Sequence, residues 1–168
     1  IEKIEAGVVG MSTELQGDPM VGAEGIMTTD THPKALSISV GSASITWVAK
    51  GSGMIEPNMA TMLSYIFTDA AFDAATLGRL LRAAVNGSFN ALSVDTDTST
   101  SDTCVILANG LAGAVDEAQF AEALRRGCVR MTEILARDGE GATRLIRVSV
   151  TGALNDTEAH VVAKSIVN

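Results

Sequence analysis

Between Lys50 and Leu63 the chain reads Lys-Gly-Ser-Gly-Met-Ile-Glu-Pro-Asn-Met-Ala-Thr-Met-Leu, a segment built to bend and to end on a hydroxyl. Gly51 and Gly53 open backbone conformations closed to other residues, and Pro57 fixes a bend. Ala60-Thr61 then sets a small residue before a β-branched hydroxyl, at the mouth of an apolar run. An N→O acyl shift needs Ser, Thr or Cys directly after the scissile carbonyl and a peptide held away from its relaxed geometry. Ala60-Thr61 at a strand start would meet both needs. Cleavage there leaves Thr61 with a free α-amine of pKa about 8, able to take the proton from its own Oγ. One residue becomes both nucleophile and base. On residue types alone, a glycine-rich loop before a strand is more often simply a turn.

Two other constellations are weaker. In the block from Asp95 to Ile106, an EF-hand loop needs Gly at its sixth position and Glu at its twelfth, where this chain has Thr100 and Ile106, so calcium is rejected. Asp95, Asp97, Thr98 and Asp102 are expected instead to bond backbone amides and brace neighbouring strands. His32 precedes Pro33 in an expected turn and His160 falls on the polar side of the last expected helix, which suits neither a Ser-His-Asp triad nor a zinc cage. No metal is expected.

The stretch KGSGMIEPNMATML resembles the autocleavage motif of the ornithine acetyltransferase family, the bifunctional glutamate N-acetyltransferases of arginine biosynthesis. Further resembling stretches follow in order: IMTTDTHPKAL (26–36), SFNALSVDTDTSTSDT (88–103), ANGLAG (108–113) and DGEGATRLI (138–146). The similarity runs from about Ile26 to the end. It implies a ping-pong transferase: Thr61 attacks the acetyl carbonyl of N-acetylornithine, releases ornithine and passes the acetyl group to glutamate. Acetyl-CoA is a further substrate in bifunctional members, and no resident cofactor is implied. By this resemblance Lys50 meets a substrate carboxylate, where otherwise it would be a solvated charge. Thr28 or Thr29, with Thr28 preferred, matches a substrate-contacting threonine rather than a turn hydroxyl. Glu140, between Gly139 and Gly141, matches the partner of the ornithine ammonium rather than an exposed loop carboxylate. The family also implies two α and two β chains assembled as a heterotetramer, in the cytoplasm, and a fold in which sheets and helices form the sandwich of N-terminal nucleophile proteins.

The resemblance also implies missing parts. The family's oxyanion donors are a Thr-Gly pair upstream of Ile1, and Gly7-Val8-Val9-Gly10 imitates that stretch only superficially, since Ala6 stands where the Thr belongs. Downstream, the family continues into a segment containing Asp-Pro-Asn-Trp-Gly-Arg and a closing C-terminal domain. The chain is thus expected to be an interior portion, with 1–60 ending the α chain and 61–168 beginning the β chain, inactive by itself. A hydrolase of the related aminopeptidase and amidase kind, or a silent homologue that never cleaves, is the alternative.

These residues must be positioned by ordinary elements. Residues 35–49 alternate apolar and small polar side chains around Gly41-Ser42, which predicts a hairpin. Residues 61–68 predict a buried strand opened by Thr61, and Asp73 caps a helix expected to reach about Leu92. CVILAN (104–109) predicts another buried strand, and Asp116 opens a helix with Phe120, Leu124, Met131 and Leu135 on one face, closed at Asp138-Gly139. RLIRVSV (144–150) alternates as a further strand, and a last helix from Asp156 presents Val161, Val162 and Ile166. The order ββ-β-α-β-α-β-α describes a mixed α/β layered fold in a single domain or a large part of one. The first thirty residues, rich in glycine, resist reading.

Composition narrows the class. At 168 residues with 46% hydrophobic and 19% charged positions, the chain can bury a substantial core. The net charge of −8, with twelve scattered Lys and Arg, excludes a nucleic-acid surface, and no apolar run reaches the roughly 20 residues of a membrane helix. Cys104 and Cys128 form no framework and are expected as buried free thiols.

Overall fold

The computed structural model describes residues 1–13, 15, 17–56, 62–97 and 101–168. Its centre is a four-stranded sheet in the order β1-β2-β3-β4. The hairpin forms as expected: β1 (Lys34–Val40) and β2 (Ala43–Lys50) pair antiparallel, closed by Val40 opposite Ala43. Gly41 takes φ +58° in the turn, a conformation that glycine reaches without strain. Strand β3 (Leu63–Ala70) pairs antiparallel with β2, and β4 (Thr103–Gly113) runs parallel beside it. Among the described residues β3 begins at Leu63, and Ala60 and Thr61, expected at its opening, lie outside them.

Strand alternation sorts the core. Ile45, Trp47 and Ala49 of β2 and Ile66 of β3 are almost wholly buried and join Leu124, Cys128, Met131 and Leu135 of α4 (Glu117–Arg137). Asp116 caps α4 by accepting the Gln119 amide at 2.8 Å, and Asp73 does the same for α3 (Ala74–Asn86) through Thr76, also at 2.8 Å. The expected apolar face of α4 is the buried one: Phe120, Leu124, Met131 and Leu135 are all enclosed. At the crossing, Gly127 lets the helix backbone approach the indole, for a Cβ there would lie 2.2 Å from two ring carbons of Trp47.

Several expectations change. Helix α3 ends at Asn86, before Gly87, and a short 3-10 turn at Phe89–Ala91 carries Phe89 inward. Strand β4 is longer than 104–109 and is only half-buried, with Leu107 51% and Leu111 85% exposed. It is an edge strand with no second strand beside it among the described residues, so its apolar run does not mean burial. Residues 144–150 alternate as a strand should, yet no ladder partner accepts them and they form no strand. Alternation gives a face, but a strand also needs a neighbour to hydrogen-bond. Helix α5 (Asp156–Val167) starts where expected, capped by Asn155, but Val161, Val162 and Ile166 are exposed. Two helices precede the sheet, α1 (Glu2–Val8) and α2 (Pro19–Ile26), the latter lying along β1 and β2. Asp18 caps α2 and Pro19 opens it, a start signal that the glycines obscured.

Both cysteines are free, and burial pushes their thiols up, Cys104 to about 12 with Cys128 as a further cause, and Cys128 to about 11. Among the described residues no helix is long and apolar enough to cross a membrane.

Candidate active site

The end of β2 and the loop after it form the floor of the site. Lys50 is the last residue of β2 and lies opposite Leu63, two positions beyond Thr61. It is 8% exposed. Its Nζ reaches the Thr28 hydroxyl at 3.3 Å, and among the described residues no carboxylate pairs with it. A buried ammonium so placed favours an anion in contact with it, because desolvation without a counter-charge is costly.

After Lys50 the chain turns sharply. Gly51 adopts φ +147°, and a Cβ there would meet Ile55 Cδ1 at 3.1 Å and the Met62 Cα at 3.6 Å. The glycine therefore lets the loop lie directly against the residue that follows Thr61. Met62 is itself fixed: its amide donates to Asp102 Oδ1 at 2.6 Å, and its carbonyl accepts the Thr103 amide at 3.0 Å. Asp95 accepts the amides of Met54 at 2.5 Å and Ile55 at 3.0 Å, which holds the loop in a shape that includes φ +54° at Met54. The bracing role expected for Asp95 and Asp102 is thus observed. For Asp97 the observed bond is its own amide donating to Asp95, and Thr98 lies outside the described residues.

Glu140 arrives from the other side, three residues past the end of α4. Its amide donates to the Ser52 carbonyl at 2.6 Å, and its carboxylate lies so close to Gly53 that a Cβ would sit 2.7 Å from Oε2. Thr29 and Ser52 share a hydrogen bond at 2.6 Å, while the Thr28 hydroxyl faces Lys50. Of the residues singled out, Thr28, Lys50 and Glu140 therefore gather around residues 50–53, and Thr61 falls outside the described residues. The adjacent threonines divide the work: Thr28 meets the ammonium, whereas Thr29 ties the turn to the loop.

Sequence reasoning missed a buried ion network beneath this floor. Lys34, 1% exposed, places Nζ 2.5 Å from Asp30 Oδ1 and 2.5 Å from Asp138 Oδ2. Asp30 also accepts the Gly51 amide at 2.7 Å and the Thr28 amide at 3.2 Å. Asp138 accepts the Thr31 amide at 3.0 Å and the Thr31 hydroxyl, and His32 Nδ1 stands 3.3 Å away. Burial opposes the charge on Asp30, but the Gly51 amide, Lys34 and the Thr28 amide outweigh it and hold the carboxyl below its ordinary value. Asp138 is lowered for the same reason, burial being outweighed by Lys34 and by the hydroxyl and amide of Thr31. Asp138 also sits at the C-terminus of α4, where the helix dipole disfavours an anion, so the nearby ammonium is needed there. A signal existed: Lys34 shares its strand face with Leu36, Ile38 and Val40, and a lysine on the inward side of a strand requires a counter-charge.

All of residues 1–168 match the ArgJ family. The chain is 56% identical, over its whole length, to the arginine biosynthesis bifunctional protein ArgJ 2 of Nostoc sp., covering 44% of that protein. It is 53% identical to the glutamate N-acetyltransferase Oat2 of Streptomyces clavuligerus over 87% of this chain and 37% of that one. The crystal structure of the arginine biosynthesis bifunctional protein argJ from Bacillus halodurans superposes with a TM-score of 0.62 at 49% identity, covering 64% of this chain and 54% of that one. The chain thus spans less than half the length of these curated relatives.

Proposed function

The chain belongs to the ArgJ family, and we propose that it carries the nucleophile and part of the substrate shell of an acetyltransferase that moves the acetyl group of N-acetylornithine to glutamate. The observation that supports this most is the convergence of Lys50, Thr28 and Glu140 on one glycine-lined loop, with Lys50 opposite Leu63 and Gly51 against Met62. A cation and an anion at opposite sides of such a loop suit a ligand that carries both a carboxylate and an ammonium.

In the proposed sequence, Thr61 Oγ attacks the Ala60 carbonyl, the C–N bond breaks to free the Thr61 α-amine and leave an ester, and water cleaves that ester to release the Ala60 carboxylate and restore the Thr61 hydroxyl. That amine then takes the hydroxyl proton as Oγ attacks the acetyl carbonyl of N-acetylornithine. Ornithine leaves with the proton on its amine, and acetyl-threonine remains. The neutral amine of glutamate attacks this ester, restores the hydroxyl and departs as N-acetylglutamate. Lys50 with Thr28 receives the substrate carboxylate and Glu140 the ammonium.

Replacing Thr61 by Ala in the full-length protein tests the assignment. Intact mass should show one uncleaved species in place of two fragments split before residue 61, and acetyl transfer to glutamate should vanish. Retained transfer would refute the nucleophile. An uncleaved wild-type protein would mark a silent homologue, and acetate release without N-acetylglutamate would mark a hydrolase.

A further inference from the structure

We propose that Asp30 and Asp138, joined through the buried ammonium of Lys34, are positioning residues that set the separation between the two ends of the amino-acid site and thereby the chain length it accepts. The proposal rests on the reading of Thr28, Lys50 and Glu140 as ligand contacts.

Each bond of the network ends on a segment that carries one of those contacts. Asp30 holds the Thr28 amide at 3.2 Å with one oxygen and the Gly51 amide at 2.7 Å with the other. A single carboxylate thereby fixes Thr28 and the residue next to Lys50, although the two lie on different segments. Asp138 holds Thr31 by its amide and hydroxyl, and two residues later the Glu140 amide is bonded to Ser52 at 2.6 Å. Lys34 couples the two carboxylates at 2.5 Å each. Turn 28–31, loop 51–53 and segment 138–140 are thus cross-linked into one frame. At 1% exposure Lys34 is out of a ligand's reach, so its action on a substrate is indirect. A buried group of ions is also a poor means of gaining stability, because desolvation offsets most of the attraction. What this one supplies is geometry.

The frame can be loosened without stranding a charge. Asp30→Asn leaves Lys34 paired with Asp138, and Asp138→Asn leaves it paired with Asp30. In Asp30→Asn an amide with one acceptor oxygen must serve donors that two oxygens served, so its NH2 group faces the Thr28 or the Gly51 N–H. One contact segment then shifts.

The test uses the full-length, self-cleaved protein in acetyl transfer to glutamate, with N-acetylornithine and its homologue one methylene shorter as donors. Asp30→Asn and Asp138→Asn should each raise KM for N-acetylornithine about tenfold, leave kcat within about twofold, and narrow the preference over the shorter donor. Lys50→Met, measured beside them, should raise KM for both donors. If the two carboxylate variants lose stability but keep KM and donor preference while Lys50→Met raises KM, the network is merely structural and the proposal fails. If Lys50→Met leaves KM unchanged, the reading of the site fails first. Should Asp30→Asn not accumulate, Thr31→Val, which removes the hydroxyl shared by Asp138 and the exposed His32 and keeps the Thr31 amide bond, should produce the same rise in KM, and an unchanged KM there would overturn the proposal.

Discussion

Lys34 shows how one side chain can control a site it does not enter. Its ammonium bridges two carboxylates that are 8% and 5% exposed, and each carboxylate holds backbone that would otherwise be free to move. Removing either carboxylate leaves a balanced pair, whereas removing the lysine leaves two buried anions facing each other. Lys34→Met should therefore destabilise by about 3–5 kcal/mol, read as a lowered urea midpoint at unchanged slope. A loss under about 1 kcal/mol would mean that water reaches the network and screens it. At this scale the sequence disclosed the residues that resemble a motif and concealed those that support them. Lys50, Thr28 and Glu140 are singled out by the resemblance, while Asp30, Lys34 and Asp138 lie in the same stretches without a visible role, because Asp138 meets Lys34 and Thr31 only across 104 and 107 positions of chain.

At the scale of elements, periodicity read correctly wherever the partner surface was local. The hairpin and α4 bury the side chains their spacing selects, β3 buries Ile66 but leaves Phe67 exposed, and Asp73 and Asp116 cap where capping chemistry says they should. It misled where burial depends on a neighbour. Residues 144–150 have the alternation of a strand but no ladder, and the valines of α5 have helical spacing but face outward. Alternation cannot report whether an edge is available. Nor could spacing show how closely α4 approaches the sheet, which is set by the missing side chain at Gly127. Alanine is the better helix former by about 1 kcal/mol, so propensity alone predicts that Gly127→Ala stabilises. The packing predicts the reverse, since the new Cβ would lie 2.2 Å from the Trp47 ring and must push helix and sheet apart. Overpacking of this kind costs about 1–3 kcal/mol or more, and the variant should unfold at lower denaturant than wild type. A gain in midpoint would show that the indole can swing aside without loss.

For the whole molecule, buried ionisable groups set the pH range over which the fold holds. Asp30, Asp138 and Glu56 all titrate below their ordinary values in the folded state. For Glu56 burial is outweighed by Lys164, whose Nζ lies 2.8 Å away and also donates to the Leu92 carbonyl at 2.9 Å. A depressed carboxyl means that the unfolded chain binds more protons, so stability is complete above the ordinary range near about pH 4 and falls as pH drops through it. The first losses there should be the docking of α5 through Glu56 and the frame around Lys34. The thiols act in the opposite direction. Burial raises Cys104 to about 12 and Cys128 to about 11, so the folded protein keeps both protons where unfolded thiols, with pKa about 8.5, lose theirs. Their contribution is complete below about pH 8 and fades above it. Urea midpoints measured from acid to alkaline pH should thus form a plateau with two falling limbs, and each limb can be removed separately. Replacing Cys104 and Cys128 together by Ala lowers the plateau through lost packing but should flatten the alkaline limb, while leaving the acid limb in place. If the alkaline limb keeps its slope without the two thiols, other groups titrate there, and burial of the cysteines is not what sets the upper bound.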